Sequence, residues 1–323
     1  MSIMKNPHKL GDSKSQSAIE YLMTYGWVIL VIAGVLVVLF ILGVFNPNFW
    51  APKMLPESCQ VLRPNGPGTT ASIALIGTCN FEEPQFVYQG APGSYIMIAN
   101  SADPASLLNV ENSITITAWV YVYSGSSQWH DVVDKEHQYG MKLDYNNIPH
   151  QCTPTNNPSW CLEWDTSNDW TGYSYPIPAG AFDQWMFIAV SAAPTGPDQT
   201  TKYWYANGAY LGDEVVSGYL SYANNALMIG TISPGSTGIP AYEWFGGQIS
   251  NVQLYNTSLS QSSIKTLYLE GIGGAPIDLR NLVGWWPLDG NGLDYSGNGY
   301  DAAMTNSITF NGGSWWEEYS PPS

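Results

Sequence analysis

Four oxygen-bearing side chains fall close together in "LDYSGNGYDA": Asp294, Ser296, Asn298 and Asp301, on a glycine-rich turn. A hard cation such as Ca2+ takes several oxygens converging from a loop of this kind, with backbone carbonyls filling the remainder. The same residues also suit a tight Asp/Asn/Gly turn that holds no ion. A second group is aromatic: Trp129, Trp160, Trp170, Tyr173 and Tyr175 lie in polar, loop-like surroundings. Flat rings stack on sugar faces while amides and carboxylates take the hydroxyls, and edge packing on a β-fold is the alternative use of such rings. A third is the carboxylate pair Glu163 and Asp165 in "CLEWDTSND", with Asp169 in a polar turn beyond. Glycoside hydrolysis needs two carboxylates flanking the bond, and Glu163 and Asp165 come near to such a pair. The four histidines, His8, His130, His137 and His150, form no Ser-His-Asp pattern, and no glycine-rich phosphate loop is present. The expectation is therefore a protein that is not an enzyme.

The elements holding these residues follow from composition and pattern. Charged residues make up only 11% of the chain, while aromatics reach 14% and Gly and Pro are abundant. That mix favours strands and turns over a helical bundle. Lys5, Lys9 and Lys14 precede Ser15, and from residue 16 onward there are 7 basic and 25 acidic residues. So acidic a body repels phosphate backbones and excludes a nucleic-acid partner.

"KSQSAIEYLMTYGWVILVIAG" opens a run from Tyr21 to Phe45 with no charge. A helix of that length, at about 1.5 Å per residue, crosses a bilayer. Pro47, Pro52 and Pro56 stop it. The basic cluster ahead of it keeps the N-terminus inside and sends the larger part out. All four cysteines, Cys59, Cys79, Cys152 and Cys161, then lie on the oxidising side. Their even number and spacing predict local disulfides Cys59–Cys79 and Cys152–Cys161, with four free thiols as the alternative. No Cys-x-x-Cys pair points to zinc.

A carboxylate at the membrane edge is costly, and Glu20 needs a partner. The basic leader, small residue and "QSAIEYLMTYGW" together resemble a class III (type IV prepilin) signal of the archaeal kind. That resemblance implies cleavage by a prepilin peptidase between Ser15 and Gln16. Gln16 becomes the first mature residue and Glu20 the fifth, where such pilins carry glutamate. Glu20 of one subunit would then pair with the freed amino group of a neighbour's Gln16 during filament assembly. The chain departs from the commonest pattern in carrying Ser15 where Gly or Ala is usual. An uncleaved signal-anchor is the alternative.

Beyond a Pro/Gly-rich connector, short alternating runs take over. "SITITAWVYVY" (113–123) alternates with both faces covered, and "QWMFIAVSA", "NALMIG" and "GQISNVQLYN" are further strands. "TKYWYANGAYLG" carries Asn207-Gly208 between aromatic runs, a hairpin signal because both turn positions need positive φ. "LSQSSIKTLYLEG" predicts one short helix, capped by Ser260 and ended by Gly271. Trp119, Trp185 and Trp285 are assigned to the core. This series is similar to laminin-G-like, concanavalin A-like lectin domains, whose later strands and closing helix "FDQWMFIAVSA", "KYWYANGAYLG" and "FGGQISNVQLYNTSLSQSSIKTLY" match in order. "LVGWWPLDGNGLDYSGNGYDAAM" resembles that family's first strand, yet stands last. The resemblance thus implies a circularly permuted jelly-roll sandwich, with 282–312 returning to complete it. Completion of a neighbouring subunit and a truncated second copy are the alternatives. Related turns can bind Ca2+, which marks Asp294, Ser296, Asn298 and Asp301 as candidate ligands.

The expected organisation is a leader (1–15), a transmembrane or pilin helix (16–46), a connector (47–84), an all-β jelly-roll sandwich (85–312) and a tail (313–323). The expected function is a cell-surface filament subunit displaying a lectin-like domain for adhesion to glycans or surface proteins. Its partners would be the membrane, like subunits and the peptidase. A monomeric membrane-anchored adhesin and a glycoside hydrolase are the competing readings. Asn256-Thr257-Ser258 is an N-glycosylation sequon.

Overall fold

The computed structural model describes residues 25, 28–37, 84–99, 106–125, 129–145, 160–166, 175–177, 182–232, 244–304, 308–312, 315, 319–320 and 322. The chain divides into two units, Met1–Pro56 and Glu57–Ser323. In the first, residues 28–37 are helical and exposed, with Ile29 and Leu30 each 64% accessible. Among the described residues no helix is long and apolar enough to cross a membrane. Ser15, Gln16 and Glu20 lie outside them, as do Cys59 and Cys79.

The second unit contains two antiparallel sheets. Its strands are β1 (Val87–Gln89), β2 (Ile96–Ile98), β3 (Ile114–Val122), β4 (Trp129–Lys135), β5 (Tyr139–Tyr145), β6 (Trp160–Thr166), β7 (Tyr175–Pro176), β8 (Trp185–Gly196), β9 (Gln199–Ala206), β10 (Ala209–Ser217), β11 (Leu227–Ile229), β12 (Gly247–Tyr255), β13 (Leu282–Trp286), β14 (Ala303–Met304) and β15 (Thr309–Asn311). The first sheet runs β10-β9-β8-β3-β12-β1-β15, with β13 also on β12. The second runs β14-β2-β11-β4-β5-β6-β7. The Asn207-Gly208 turn joins β9 to β10 with φ of 49° and 71°, values that Asn and Gly accept most readily.

Alternation decides what each sheet buries. Ile114, Ile116, Ala118, Val120 and Val122 on β3 face the interior with Leu143 and Leu162 of the opposite sheet. Thr115, Thr117, Trp119 and Tyr121 point the other way and are buried as well. A second apolar layer covers that outer face, so all nine residues of β3 are sequestered. Its cover is the helix Gln261–Leu269, through Ile264 and Leu267, together with Ile272 and two residues near the C-terminus, Trp315 and Tyr319. Ser260 caps that helix by accepting from Ser263 N.

Trp315 and Tyr319, within the residues expected to form a tail, thus contribute to packing. Trp185 Nε1 donates to Trp315 O at 3.2 Å, and Ile272 N to the Tyr319 hydroxyl at 3.0 Å. Each aromatic side chain removed from water contributes about 2–3 kcal/mol. The segment 282–311 supplies β13 and β15 to one sheet and β14 to the other. It therefore completes its own sandwich. Since β3 occupies one edge of β12, β1 and β13 share the other end to end. The handover falls at a bulge containing Asn251, whose φ is 51°.

Candidate functional site

The two sheets end beside one another at β7 and β10. Their backbones are not paired there; a side chain joins them. Tyr175 of β7 lays its ring on Trp204 of β9, centroids 5.0 Å apart, and its hydroxyl donates to Asp213 O on β10 at 2.8 Å. Gly212 leaves room for that ring: a Cβ there would lie 2.1 Å from Tyr175 Cε1. Inside the closure Trp204 meets Trp164 of β6 edge to face, with centroids 6.2 Å apart. The buried Lys202 ammonium stands 5.3 Å from the Trp204 ring and 5.9 Å from Trp164.

The hairpin turns other residues to the outside of the same edge. Tyr210 pairs with Tyr205, and Asp213 with Tyr203. The Tyr205 and Tyr210 rings are 5.8 Å apart, and the Tyr210 hydroxyl donates to Asp213 Oδ1. Burial, then the neighbouring Tyr203 and Asp213, push the Tyr205 phenol up to about 12. Burial and its bond to Asp213 also raise Tyr210, whose side chain is 41% exposed. Rings, phenols and one exposed carboxylate thus share a small outer surface.

Of the aromatics singled out in the sequence, Tyr175 belongs to this edge. Trp129 and Trp160 begin β4 and β6 at one end of the second sheet, in adjacent rows across β5: Trp129 pairs with Asp144, and Trp160 with Tyr145. Trp170 and Tyr173 lie outside the described residues, as does Cys152; Cys161 is disulfide-bonded. Tyr203, Tyr205, Tyr210 and Asp213 were not anticipated. "KYWYANGAYLGD" carried the signal, because a two-residue turn sets Tyr210 opposite Tyr205. A bulge between Tyr210 and Gly212 then brings Asp213 opposite Tyr203, and nothing in the sequence announces that bulge.

Glu163 and Asp165 occupy register positions opposite Lys142 and Gly140. The next strand sets Asp131 opposite Lys142 and Asp134 opposite Gly140. Both aspartates are buried, at 5% and 4% exposure, so the β4 pattern adds carboxylates that the sequence reading had not grouped with Glu163.

The Asp294 turn is knit by its own donors. Asp294 is 1% exposed and accepts from Trp285 N at 3.0 Å, Ser296 N at 2.8 Å, Ser296 Oγ at 2.8 Å and Tyr300 N at 3.0 Å. Asp301 Oδ1 accepts from Asp294 N at 2.9 Å. The Asn298 amide donates to Leu282 O and Val283 O, each at 2.9 Å. N–H and O–H donors therefore surround Asp294, whereas a calcium site surrounds the ion with oxygens. As arranged, these four side chains serve the turn, and among the described residues no group of three or more His, Cys, Asp or Glu gathers to hold a metal.

Residues 91–265, more than half of the chain, match a family model described as the concanavalin A-like lectin/glucanases superfamily. The chain belongs to that superfamily. No curated protein matches it. Among solved structures, it is similar to a candidate carbohydrate-binding protein from Bacteroides ovatus ATCC 8483. There the TM-score is 0.52 at 18% identity, over 75% of this chain and 66% of that one. A heptameric SAP-like pentraxin from Limulus polyphemus gives a TM-score of 0.47 at 11% identity, over 70% and 93%. Domain 4 of a GH43 extracellular arabinanase from Geobacillus stearothermophilus, solved with arabinotriose, gives 0.32 at 16%, over 55% and 80%. At 18% identity the likeness to the first of these concerns the fold alone.

Proposed function

We propose that this superfamily member is a cell-surface protein whose sandwich binds glycans at the β7–β10 edge. The observation that carries the reading is the outer surface of that edge, where exposed Tyr210 stands beside Asp213 with Tyr203 and Tyr205 behind. Aromatic faces stack on the apolar face of a sugar, and a carboxylate with phenols takes its hydroxyls. Isothermal titration against a panel of oligosaccharides tests it. Binding that weakens about tenfold in Tyr210→Ala and in Asp213→Asn supports the site. Binding unaffected by both variants moves the site elsewhere, with Trp129 and Trp160 next in line. Binding without hydrolysis is part of this reading. Cleavage of β-glucan that disappears in Glu163→Gln would overturn it.

The first fifty residues give this head its place. The exposed apolar helix at 28–37 favours an apolar environment, which a bilayer or a bundle of like helices supplies. With Glu20 at the fifth position after Ser15, processing to Gln16 and assembly into a filament is the reading we adopt. The N-terminal residue and mass of the protein from its native surface decide between a filament subunit, starting at Gln16, and a monomeric anchored adhesin, starting at Met1.

A further inference from the structure

The outer surface of the β7–β10 edge gathers rings and oxygen atoms, with no base among the described residues that form it. Tyr203 and Tyr205 lie two residues apart on β9 and so share a strand face, while Lys202 and Trp204 take the other. The β9–β10 hairpin holds one basic residue, Lys202, and the register sets it opposite Glu214. On the outer face the register sets Asp213 opposite Tyr203, and Tyr210 opposite Tyr205. Asp213 is exposed, its carboxylate accepts from the Tyr210 hydroxyl, and among the described residues it forms no ion pair. The Tyr205 and Tyr210 rings, 5.8 Å apart, are tilted by 58° and so do not close on each other as a stack. Tyr210 is 41% exposed and Tyr203 half-buried, which leaves ring surface open to a ligand beside the carboxylate. Burial, and after it neighbours that include Asp213, raise the Tyr205 and Tyr210 phenols, so the hydroxyls here stay neutral and the lone charge is negative.

We infer that this surface takes a protonated amine, and that the glycan it binds is built of amino sugars whose nitrogens carry no acyl group. The inference rests on the glycan-binding reading and narrows it. An ammonium seated beside Tyr210 would form a charge-assisted bond to Asp213 and lie against electron-rich ring faces, both of which favour a cation. Capping the nitrogen with an acetyl group removes its charge and forfeits both. A uronic or sialic acid brings a second negative charge to Asp213. The rest of the chain reinforces that choice: beyond residue 15 it has 25 acidic residues against 7 basic ones, a field that draws cations and turns anions away. The apolar face of such a sugar would lie against Tyr210 and its hydroxyls toward the phenols.

Titration of the full-length protein in detergent, at mildly acidic pH, against a glucosamine oligomer and the N-acetylated oligomer of the same linkage and length tests the inference. The amine-bearing oligomer should bind at least about tenfold more tightly. That preference should shrink as salt is raised. Asp213→Asn keeps the shape of the side chain and removes its charge, and in it the two oligomers should bind alike. Oligolysine of matching charge separates recognition from bulk attraction to an acidic body, and should bind at least about tenfold more weakly than the glucosamine oligomer. If the acetylated oligomer binds the wild-type protein as well as its amine-bearing counterpart, or if only other sugars bind, the inference is overturned and the glycan reading stands. A preference that survives Asp213→Asn, or oligolysine binding on a par with the sugar, overturns it too. If no sugar of any kind binds, both readings are overturned.

Discussion

The Tyr175 hydroxyl and the Asp213 carbonyl, 2.8 Å apart, join the last strand of one sheet to the last strand of the other. Sandwich edges are normally left open, covered by loops or blunted by charge. Here a phenol bridges the gap and its ring packs on Trp204 behind. Tyr175→Phe should keep the ring on Trp204 and lose the bond, at a cost of about 1 kcal/mol in chemical denaturation. Tyr175→Ala should cost about 3 kcal/mol or more and make Trp204 accessible to acrylamide quenching. Equal stability of the two variants would show that the ring does not seal the edge.

Gly212 is where that closure is most easily blocked. A methyl group there would lie 2.1 Å from Tyr175 Cε1 and 2.6 Å from its hydroxyl. Gly212→Ala should therefore displace Tyr175 from Trp204 and reproduce the fluorescence of Tyr175→Ala, although β10 tolerates alanine by itself. Unchanged quenching of Trp204 would contradict this placement of the ring.

Asp294 should behave as a turn residue. Replacing it with alanine strands the amides of Trp285, Ser296 and Tyr300, a loss of about 3 kcal/mol or more that lowers Tm. Since donors already fill both carboxylate oxygens, chelator should leave the Tm of the wild-type protein unchanged. A fall in Tm on adding chelator, absent in Asp294→Ala, would instead identify Ca2+ as a resident ion.

Stability should pass through a maximum in mild alkali. Burial lowers Lys135 from 10.5 to about 8, against the opposing pull of Asp134. Between these values the folded protein has released a proton that the unfolded chain still holds, so stability rises with pH across that window. Burial raises Tyr88 and Tyr205 from 10.0 to about 12, so above pH 10 the unfolded chain gives up protons that the fold retains, and stability falls. Thermal melts from pH 7 to 11 should show both limbs, and Lys135→Met should flatten the rising one. A rising limb that persists in Lys135→Met assigns it to another group.

Trp315 tests whether the C-terminal residues belong to the fold. Trp315→Ala should cost about 3–5 kcal/mol and red-shift the emission of Trp185, whose indole donates to the Trp315 carbonyl. A variant as stable as the parent would return these residues to the status of a tail.

Much of the sandwich could be read from period-2 runs. The 113–123 run, the Asn207-Gly208 turn and the Ser260 cap each depend on residues near in sequence, and each has its expected structure. Trp119 and Trp185 are buried as assigned, but in the outer layer beneath Trp315 and Tyr319 rather than between the sheets. Alternation gives the face of a residue without saying what will cover it, and this cover comes from more than 100 residues away. The β7–β10 edge was hidden for the same reason. Tyr175 drew notice as an aromatic in polar company, but its partner Asp213 lies 38 positions later, beyond a bulge. The Asp294 turn was recognisable as a cluster of oxygen-bearing groups; which of them would face backbone amides depends on the path of β13, which local spacing does not encode.

The placement of β1 has a mechanical consequence. This strand, the first among the described residues, is hydrogen-bonded along both edges, to β12 on one side and β15 on the other. Phe86 N is further held by Asp289 Oδ1 at 2.6 Å, and Trp315 Nε1 reaches Gln85 O at 3.4 Å. A pull along β1 loads these bonds in shear, so they must yield together instead of peeling apart one by one. If the N-terminal segment tethers the head as proposed, the residues that return from the C-terminal end would reinforce the point where tension enters.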